Sequence, residues 1–258
     1  MATLSQARDA FQLRLLTFLY RGSASSSLVL KGGVAMRVLT ESARFTQDLD
    51  FDHDPHRSLA SLQNTVRTAI DRAIHGSGLT GTSISESKQT DTVARWKICG
   101  RTSTGENLHL TVEVSRRRAP DPSHVLKVPV QIADRTLPRV YVSVYDEQAL
   151  VDNKLAALTD NRRTAPRDVY DLDLLLARGV APSAAAIESL GGRVTLMKRV
   201  ADKLDLMSWV LFRDEVLPTL SREIHAQVDE DEYLAMKLRL LKTLERNLAM
   251  LGGEAALP

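Results

Sequence analysis

Apolar residues recur along the chain at two spacings, and the change between them divides the sequence into two parts. Up to about residue 145, short runs of alternating apolar and polar residues are mixed with helical patterns. From Asp146 onward, nearly every segment carries apolar residues at three- and four-residue steps. We therefore predict an α+β fold, with a sheet and flanking helices in a domain at residues 1–145 and a helical domain at 146–258.

The same patterns predict the individual elements. In the first part the predicted helices are 5–20, 34–39 and 57–75, and the predicted strands are 28–30, 48–52, 92–99, 107–114, 125–132 and 139–145. In the second part the predicted helices are 147–159, 166–178, 183–190, 193–205, 207–217 and 230–250. The last helix is predicted from a leucine stripe formed by Leu234, Leu238, Leu241, Leu244, Leu248 and Leu251. A loop is expected over 22–27 and a frayed tail over 252–258.

Composition narrows the class of protein. The chain has 258 residues, a formal net charge of +2 and ordinary hydrophobic content, so it is long enough for one large domain or two packed ones. No run approaches the roughly 20 apolar residues of a membrane span, and the N-terminal residues lack a secretory pattern. The single cysteine, Cys99, cannot form an internal disulfide. These features predict a cytoplasmic protein without a membrane partner.

Residues 48–52, Asp-Leu-Asp-Phe-Asp, carry the most informative pattern. Side chains on a strand alternate between faces, so Asp48, Asp50 and Asp52 are expected to share one face. Carboxylates on one face repel each other, and Mg²⁺ compensates because it prefers carboxylate oxygens and keeps waters that a phosphate can replace. A solvated edge strand with an acidic outer face would show the same pattern.

A second polar face is predicted on the strand over 107–114. Its apolar residues alternate with His109, Thr111 and Glu113, which should therefore point the other way. If this strand neighbours the acidic one, Glu113 could complete a three-carboxylate cluster that holds two metal ions for an in-line displacement. Taken alone, Glu113 fits an exposed sheet residue as well.

A glycine pair, Gly32-Gly33, lies between a predicted strand and a predicted helix. Residues without Cβ let a ligand approach the backbone, and the N–H groups at the start of a helix favour an anion. By itself the pair also fits a tight turn. Its position about fifteen residues before Asp48 suggests that phosphates held at the turn could meet metal ions held on the strand.

Further charged groups lie later in the chain. Lys154, on a predicted helix, could hold a triphosphate as a compact point charge. Asp168 and Asp171 share one helix face, although Asp168 could equally favour the helix dipole. The runs 116–118 and 162–163, which are all arginine, are candidates for contacts with an RNA backbone or for solvated loops.

Taken together, the ordered motifs resemble the AbiEii/MenT family of nucleotidyltransferase-like toxins from prokaryotic toxin–antitoxin and phage-defence systems. The motifs are Lys31-Gly32-Gly33, then Arg44-x-Thr46-x-Asp48-Leu49-Asp50-Phe51, then Lys154 followed by Arg167-Asp168-x-x-Asp171-Leu172. The resemblance runs from about residue 28 to 176. The helices predicted from residue 180 onward carry none of these motifs.

The resemblance implies a nucleotidyltransferase core of the DNA-polymerase-β kind, with a small mixed sheet flanked by helices. It implies transfer of nucleotides from a nucleoside triphosphate (NTP) to an RNA acceptor, the 3′ end of tRNA, which blocks translation. Mg²⁺, or Mn²⁺, is the expected cofactor, and an antitoxin encoded alongside is the expected partner.

The resemblance also implies site residues. Asp48 and Asp50 are the expected metal ligands, and the strand pattern adds Glu113 to them. Lys154 and Asp171 complete the catalytic set. The expected substrate-binding residues are Lys31, Gly32, Gly33, Arg44, Thr46 and Asp168. Which of Asp168 and Asp171 is the functional acid stays open, because the spacing from the lysine varies within the family.

Two other functions remain open from the residues. A phosphohydrolase could use Asp48 as nucleophile and Asp50 as acid, but it leaves the glycine pair unexplained, and no late acidic pair supplies its metal site. A non-catalytic protein of a defence system could bind RNA or a partner through a degenerate site. Both carboxylates are present, which favours the enzyme.

Overall fold

The computed structural model describes residues 3–22, 27–130 and 137–253. The chain divides into two compact units, Met1–Tyr145 and Asp146–Pro258. The predicted α+β fold is confirmed, with a mixed sheet flanked by helices. Among the described residues, none of the helices is long and apolar enough to cross a lipid bilayer.

The described residues of the first unit form seven strands and three α-helices. Its helices are α1 (Leu4–Tyr20), α2 (Gly32–Thr40) and α3 (Leu59–Ile74). Its strands are β1 (Leu28–Lys31), β2 (Asp48–His53), β3 (Thr80–Gln89), β4 (Val93–Arg101), β5 (Asn107–Ser115), β6 (Val125–Val130) and β7 (Val140–Tyr145). Residues 23–26 of the predicted loop and 131–132 of the predicted strand lie outside the described residues.

All seven strands form one sheet, in the order β3-β4-β5-β2-β1-β7-β6. The acidic strand β2 lies near the centre, antiparallel to β1 and parallel to β5. β7 is parallel to β1, and the remaining pairs are antiparallel. Because β2 neighbours β1 on one side and β5 on the other, the residue before the glycine pair and Glu113 both flank the acidic segment.

The apolar residues of the central strands form the core of this unit. Leu49 and Phe51 are fully buried, as are the alternating apolar residues of β4 and β5. Helices α1 and α3 pack against each other, and α1 also packs on β5 and β7. The apolar alternation predicted from the sequence therefore determines which face of the sheet is buried and which face carries the polar side chains.

The second unit is helical. Its helices are α4 (Glu147–Leu158), α5 (Arg167–Ala177), α6 (Ala184–Ser189), α7 (Gly192–Leu206), α8 (Trp209–Glu215), α9 (Arg222–His225) and α10 (Glu230–Gly253). Long helix α10 packs against α5, α7 and α8, and the rings of Phe212 and Tyr233 stack with centroids 4.3 Å apart. Residues 254–258 of the predicted tail lie outside the described residues.

The leucine stripe predicted on α10 is partly wrong. Leu244 and Leu248 are buried, but Leu234 and Leu238 are exposed, and Tyr233, Met236 and Leu240 are buried instead. Leucines occur on both sides of this helix, so three- and four-residue steps can be traced along the wrong side.

Candidate active site

The acidic strand β2 presents its three carboxylates on the polar face of the sheet. Asp48, Asp50 and Asp52 are partly exposed, whereas Leu49 and Phe51 between them are fully buried. The alternation predicted from the sequence is thus present. Two carboxylates two residues apart on one strand face lie close enough to repel each other, and a cation placed between them would relieve that repulsion.

The glycine pair lies directly against this strand. Gly32 begins α2 with φ of +69°, a left-handed conformation that favours glycine, and a Cβ there would lie 2.6 Å from Asp50 Oδ2. A Cβ on Gly33 would lie 2.9 Å from a guanidinium nitrogen of Arg44 and 3.0 Å from Thr46 Cβ. A side chain on either glycine would therefore crowd residues that the sequence singled out.

The third carboxylate of the strand, Asp52, has two partners. Lys31 Nζ lies 2.5 Å from Asp52 Oδ1, and the Tyr145 hydroxyl donates a hydrogen bond of 3.0 Å to Asp52 Oδ2. Burial raises the pKa of Tyr145, and the negative charge of Asp52 raises it further. Tyr145 therefore stays protonated as a donor, and the charge of Asp52 is neutralised by Lys31.

Arg44 and Thr46 form the buried wall of the turn. Thr46 Oγ1 accepts a hydrogen bond of 3.3 Å from the Asp48 N–H, and the Thr46 carbonyl accepts one of 3.1 Å from Gln12. Arg44 is 4% exposed. These contacts position the start of β2 next to the glycine pair, so the two residues have a structural role in addition to the expected binding role.

Glu113 is the carboxylate that the strand pattern added to the metal ligands. It lies opposite Asp50 in the parallel register of β2 and β5, so the structure brings the two residues side by side. However, Arg95 on β4 donates to Glu113 Oε2 through Nε at 2.7 Å and Nη2 at 2.5 Å. Glu113 is held by Arg95 in this conformation, and its role as a metal ligand stays a prediction.

The donor set fits a divalent cation that also binds phosphate. The described ranges contain no group of three or more His, Cys, Asp or Glu side chains arranged to hold a metal ion. Mg²⁺ is commonly held by one or two carboxylates together with substrate phosphates rather than by a complete protein cage. Asp48 and Asp50 can supply that pair of carboxylates, with the glycine turn against Asp50 as the place for phosphates.

A second charged cluster lies within the helical unit. Lys154 Nζ contacts Asp168 Oδ1 at 2.9 Å and Asp171 Oδ2 at 2.6 Å, and Arg163 contacts Asp168 Oδ2 at 2.6 Å. Both aspartates are almost completely buried. Two cations and two carboxylates therefore form a charge-balanced network, and both candidate acids touch the same lysine.

Three of the five residues in the two arginine runs have partners within the protein, which changes their interpretation. Arg116 is 4% exposed and donates to the backbone carbonyls of Pro55, Arg57 and Asp91, so it is unavailable for the expected RNA contact. Arg162 pairs with Asp160 at 2.9 Å. Arg163 pairs with Asp168, as described above. Arg117 and Arg118 are exposed.

Two residues near the site were not singled out from the sequence. Arg95 lies opposite Glu113 in the antiparallel register of β4 and β5, which the pattern could have suggested only once the register was known. Arg8 on α1 donates to the His109 carbonyl at 3.0 Å. Burial lowers the pKa of Arg8, and the negative charge of Asp48 opposes that shift. The apolar pattern of helix α1 gave no indication that Arg8 lies near Asp48.

The fold of the chain is similar to that of several solved structures. JHP933 from Helicobacter pylori matches with a TM-score of 0.60 and 22% identity, over 97% of this chain and 96% of that one. A putative nucleotidyltransferase from H. pylori matches with a TM-score of 0.59 and 23% identity, over 95% and 97% of the two chains. MenT4, a nucleotidyltransferase toxin from Mycobacterium tuberculosis H37Rv, matches with a TM-score of 0.53 and 19% identity, over 95% and 84%.

The sequence comparison identifies the family. The model of the nucleotidyl transferase AbiEii toxin family, from type IV toxin–antitoxin systems, matches residues 14–246. The chain therefore belongs to the AbiEii nucleotidyltransferase toxin family. No curated protein matches the chain. The resemblance stated from the ordered motifs is confirmed.

Proposed function

We propose that this protein transfers a nucleotide from an NTP to an RNA acceptor, the 3′ end of tRNA, and thereby blocks translation. The observation that carries the proposal is the contact of the glycine turn with the acidic strand, where Gly32 leaves no room for a Cβ beside Asp50. A phosphate at the turn is thereby next to a carboxylate that binds a cation. This arrangement suits phosphoryl chemistry, in which positioning and charge neutralisation provide most of the catalysis.

Each candidate site residue of the first unit has a role in this reaction. Asp48 and Asp50 hold Mg²⁺, or Mn²⁺, through their carboxylate oxygens, and Glu113 is a further ligand. A bound ion of this kind neutralises charge on the triphosphate and favours the ionised form of an attacking hydroxyl. The backbone N–H groups at the start of α2 bind phosphate oxygens. The side chains that complete the triphosphate site are those of Lys31, Arg44 and Thr46.

In the second unit, we assign Lys154 to the triphosphate and Asp171 to the catalytic set, with Asp168 as a substrate-binding residue. The support for this assignment is the network in which both aspartates contact the Lys154 ammonium. The carboxylates orient that ammonium through charge-assisted hydrogen bonds.

Membership of a type IV toxin–antitoxin family supports a cognate antitoxin, encoded alongside, as the partner. Membership of a type IV system does not specify a contact between toxin and antitoxin. Binding of the antitoxin to this protein is therefore part of the proposal. A cytoplasmic location, where tRNA and NTPs are available, completes it.

The reaction is tested by incubating the purified chain with each NTP labelled at the α-phosphate, Mg²⁺ and total RNA. Label that migrates with tRNA supports the proposal, and digestion of the product identifies the modified end. Release of phosphate without labelled RNA would indicate a phosphohydrolase and overturn the proposal. Binding of RNA without either product would indicate a non-catalytic protein.

The strand itself offers a matched control. Asp48→Asn should lower transfer at least a hundredfold, because it removes one of the two expected metal ligands. Asp52→Asn lies on the same face but breaks contacts to Lys31 and Tyr145. It should therefore cost about 1.5–3 kcal/mol of folding stability, as for hydrogen bonds to a charged group, while transfer remains measurable.

A further inference from the structure

The register of four adjacent strands extends the polar face of the sheet away from the metal ligands. Asp48 pairs with Thr111, Thr111 with Lys97, and Lys97 with Ser85, which forms one row across β2, β5, β4 and β3. The next row runs from Asp50 through Glu113 and Arg95 to Lys88. Paired residues on neighbouring strands point to the same face, so both rows lie on one surface.

Charge changes sign along these rows. The carboxylates lie on β2 and β5, whereas the cations lie on β4 and β3. We define the basic face as the four residues Lys88, Arg95, Lys97 and Arg101, which share this side of the sheet by alternation and register. Lys88, Lys97 and Arg101 are exposed, and Arg95 is partly exposed.

Acidic neighbours of the basic face are already paired with arginines. Glu113 is paired with Arg95. Glu86, on the exposed strand β3, lies 3.5 Å from Arg67 of α3. Within the described part of the chain, no ion pair involves Lys88, Lys97 or Arg101. The basic face thus keeps three exposed cations that form no ion pair with any described acidic side chain.

The surface chemistry favours a polyphosphate chain over a protein as the occupant. A stable protein interface has an apolar centre, usually aromatic or aliphatic. The large apolar side chains exposed among the described residues are Leu126, Tyr141, Val194, Leu206, Val210, Leu234, Leu238 and Met250. None of them lies on β3, β4 or β5. Cations interspersed with serine and threonine hydroxyls, such as Ser83, Ser85 and Thr111, are the groups that contact nucleic-acid phosphates.

From this arrangement we infer that the basic face is the track along which the backbone of the RNA acceptor approaches the metal ligands. The inference rests on the proposed function. Neighbouring strands lie about 4.8 Å apart, so Lys97 is two strands, or about 10 Å, from Asp48 along the sheet. An RNA whose terminal hydroxyl is at Asp48 and Asp50 places its preceding phosphates over β5 and β4. Cations from two strands, rather than the buried Arg116, provide the contacts of this track.

The test measures binding of the full-length chain to a fluorescent single-stranded 12-nucleotide RNA over a range of salt concentrations. Each cation that contacts a single strand contributes about 0.7 to the slope of log K against log salt. The double variant Lys88→Gln/Lys97→Gln should therefore lower the slope by about 1.4 and weaken binding about 25-fold at 0.1 M salt. Lys88→Arg/Lys97→Arg, which keeps both charges, should retain the wild-type slope.

The matched control removes the same charge from the helices. Arg21 and Arg72 are exposed at the ends of α1 and α3, and Arg21→Gln/Arg72→Gln should leave affinity and slope unchanged. In the transfer assay, Lys88→Gln/Lys97→Gln should raise KM for RNA about 25-fold and leave kcat and the KM for NTP unchanged. If that variant keeps the wild-type salt slope and the wild-type KM for RNA, the assignment of the track to the basic face is wrong. The proposed function would still hold in that case, provided that the wild-type chain transfers nucleotides.

The experiments also identify the case in which the proposed reaction is wrong but the basic face binds RNA. If the wild-type chain binds RNA and Lys88→Gln/Lys97→Gln loses that binding, the track stands even when no nucleotide is transferred, and only the proposed reaction fails. Equal weakening by the Arg21→Gln/Arg72→Gln control would show that net charge alone governs binding, which would overturn the assignment to the basic face.

Discussion

Gly32 and Asp50 are in contact, since a Cβ on Gly32 would lie 2.6 Å from Asp50 Oδ2. The two residues are eighteen positions apart in the sequence, and the antiparallel pairing of β1 with β2, in which Lys31 lies opposite Asp50, brings them together. A helix N-terminus that favours anions is thereby fixed beside a carboxylate that favours cations. A phosphate with its metal ion satisfies both.

Gly32→Ala tests this contact. Alanine at φ of +69° costs about 1–2 kcal/mol of backbone energy, and its methyl group would displace the Asp50 carboxylate. We expect nucleotide transfer to fall at least a hundredfold, and binding of Mn²⁺ to weaken. Labelled-nucleotide transfer measures the first effect, and electron paramagnetic resonance of Mn²⁺ measures the second.

Gly78→Ala is the matched control, because Gly78 has φ of +77° and no atom within 4 Å of an added Cβ. It should lower the melting temperature about as much as Gly32→Ala and keep transfer and Mn²⁺ binding. Equal activity in the two alanine variants would contradict the role of the Gly32–Asp50 contact.

The sequence predicted those parts of the structure in which one face of an element is buried. The alternation of Leu49 and Phe51 with three aspartates correctly predicted a strand with its acids on one face. Strand β3 was missed because nearly all its side chains are exposed on both faces, which leaves no alternation to detect. Ile84, which lies opposite the buried Ile98, is partly buried, but one such residue does not produce an alternating pattern that would predict a strand.

Partners of charged side chains could not be predicted, because pairing depends on register between distant segments. Glu113 was expected beside Asp50, and it lies there, but the arginine that engages it comes from β4. Arg116 stands in a basic run that resembles a solvated loop, yet its guanidinium is buried against backbone carbonyls. Sequence spacing identifies the charge, and only the fold determines what neutralises it.

His53, at the end of β2, should make folding stability depend on pH. Burial lowers the pKa of His53, and the positive charges of Arg116 and Arg57 lower it further. Below the pKa of an unfolded histidine, about 6.5, the unfolded chain binds a proton that the folded chain excludes. The free energy of unfolding therefore decreases as pH falls below about 6.5, by at most about 1.4 kcal/mol per pH unit from this group.

Urea denaturation at several pH values between 5 and 8 measures this dependence. His53→Gln should flatten the decrease, whereas His56→Gln, which removes an exposed histidine, should leave it unchanged. An unaltered slope in His53→Gln would assign the pH dependence to other groups.

The ion-pair network around Lys154 should contribute to folding stability as well as to nucleotide transfer. Removing Lys154 alone takes one cation away from two buried carboxylates, Asp168 and Asp171, while Arg163 still contacts Asp168. Breaking a buried ion pair from one side typically costs about 3–5 kcal/mol, so Lys154→Met should lower the free energy of unfolding by that amount. Lys154→Met/Asp171→Asn restores the charge balance and should recover a large part of the loss.

Lys198→Met, an exposed lysine on α7, should change stability by less than about 0.5 kcal/mol and serves as the control. If Lys154→Met were as stable as Lys198→Met, the network would have no structural role. Transfer by Lys154→Met is then to be compared at a temperature at which circular dichroism shows the variant folded.

Arg95 should limit how tightly the site binds a metal ion. It donates two hydrogen bonds to Glu113 Oε2, in register with Asp50, and so places a positive charge and an occupied carboxylate beside the expected cation. Hydrogen bonds to a charged group contribute about 1.5–3 kcal/mol, and each 1.4 kcal/mol is about tenfold in affinity. Arg95→Gln should therefore tighten Mn²⁺ binding about ten- to a hundredfold, as measured by isothermal titration calorimetry.

The double variant separates the two ways in which Arg95 could act. If Arg95 withholds Glu113 as a ligand, Arg95→Gln/Glu113→Gln should lose most of the gain, because the released carboxylate is absent. If the gain persists in the double variant, Arg95 acts through its charge alone, and Glu113 is not a metal ligand. No change of Mn²⁺ affinity in Arg95→Gln would contradict the two-carboxylate site itself. Arg95 lies two strands from Asp50, or about 10 Å, and its charge acts on a cation held there.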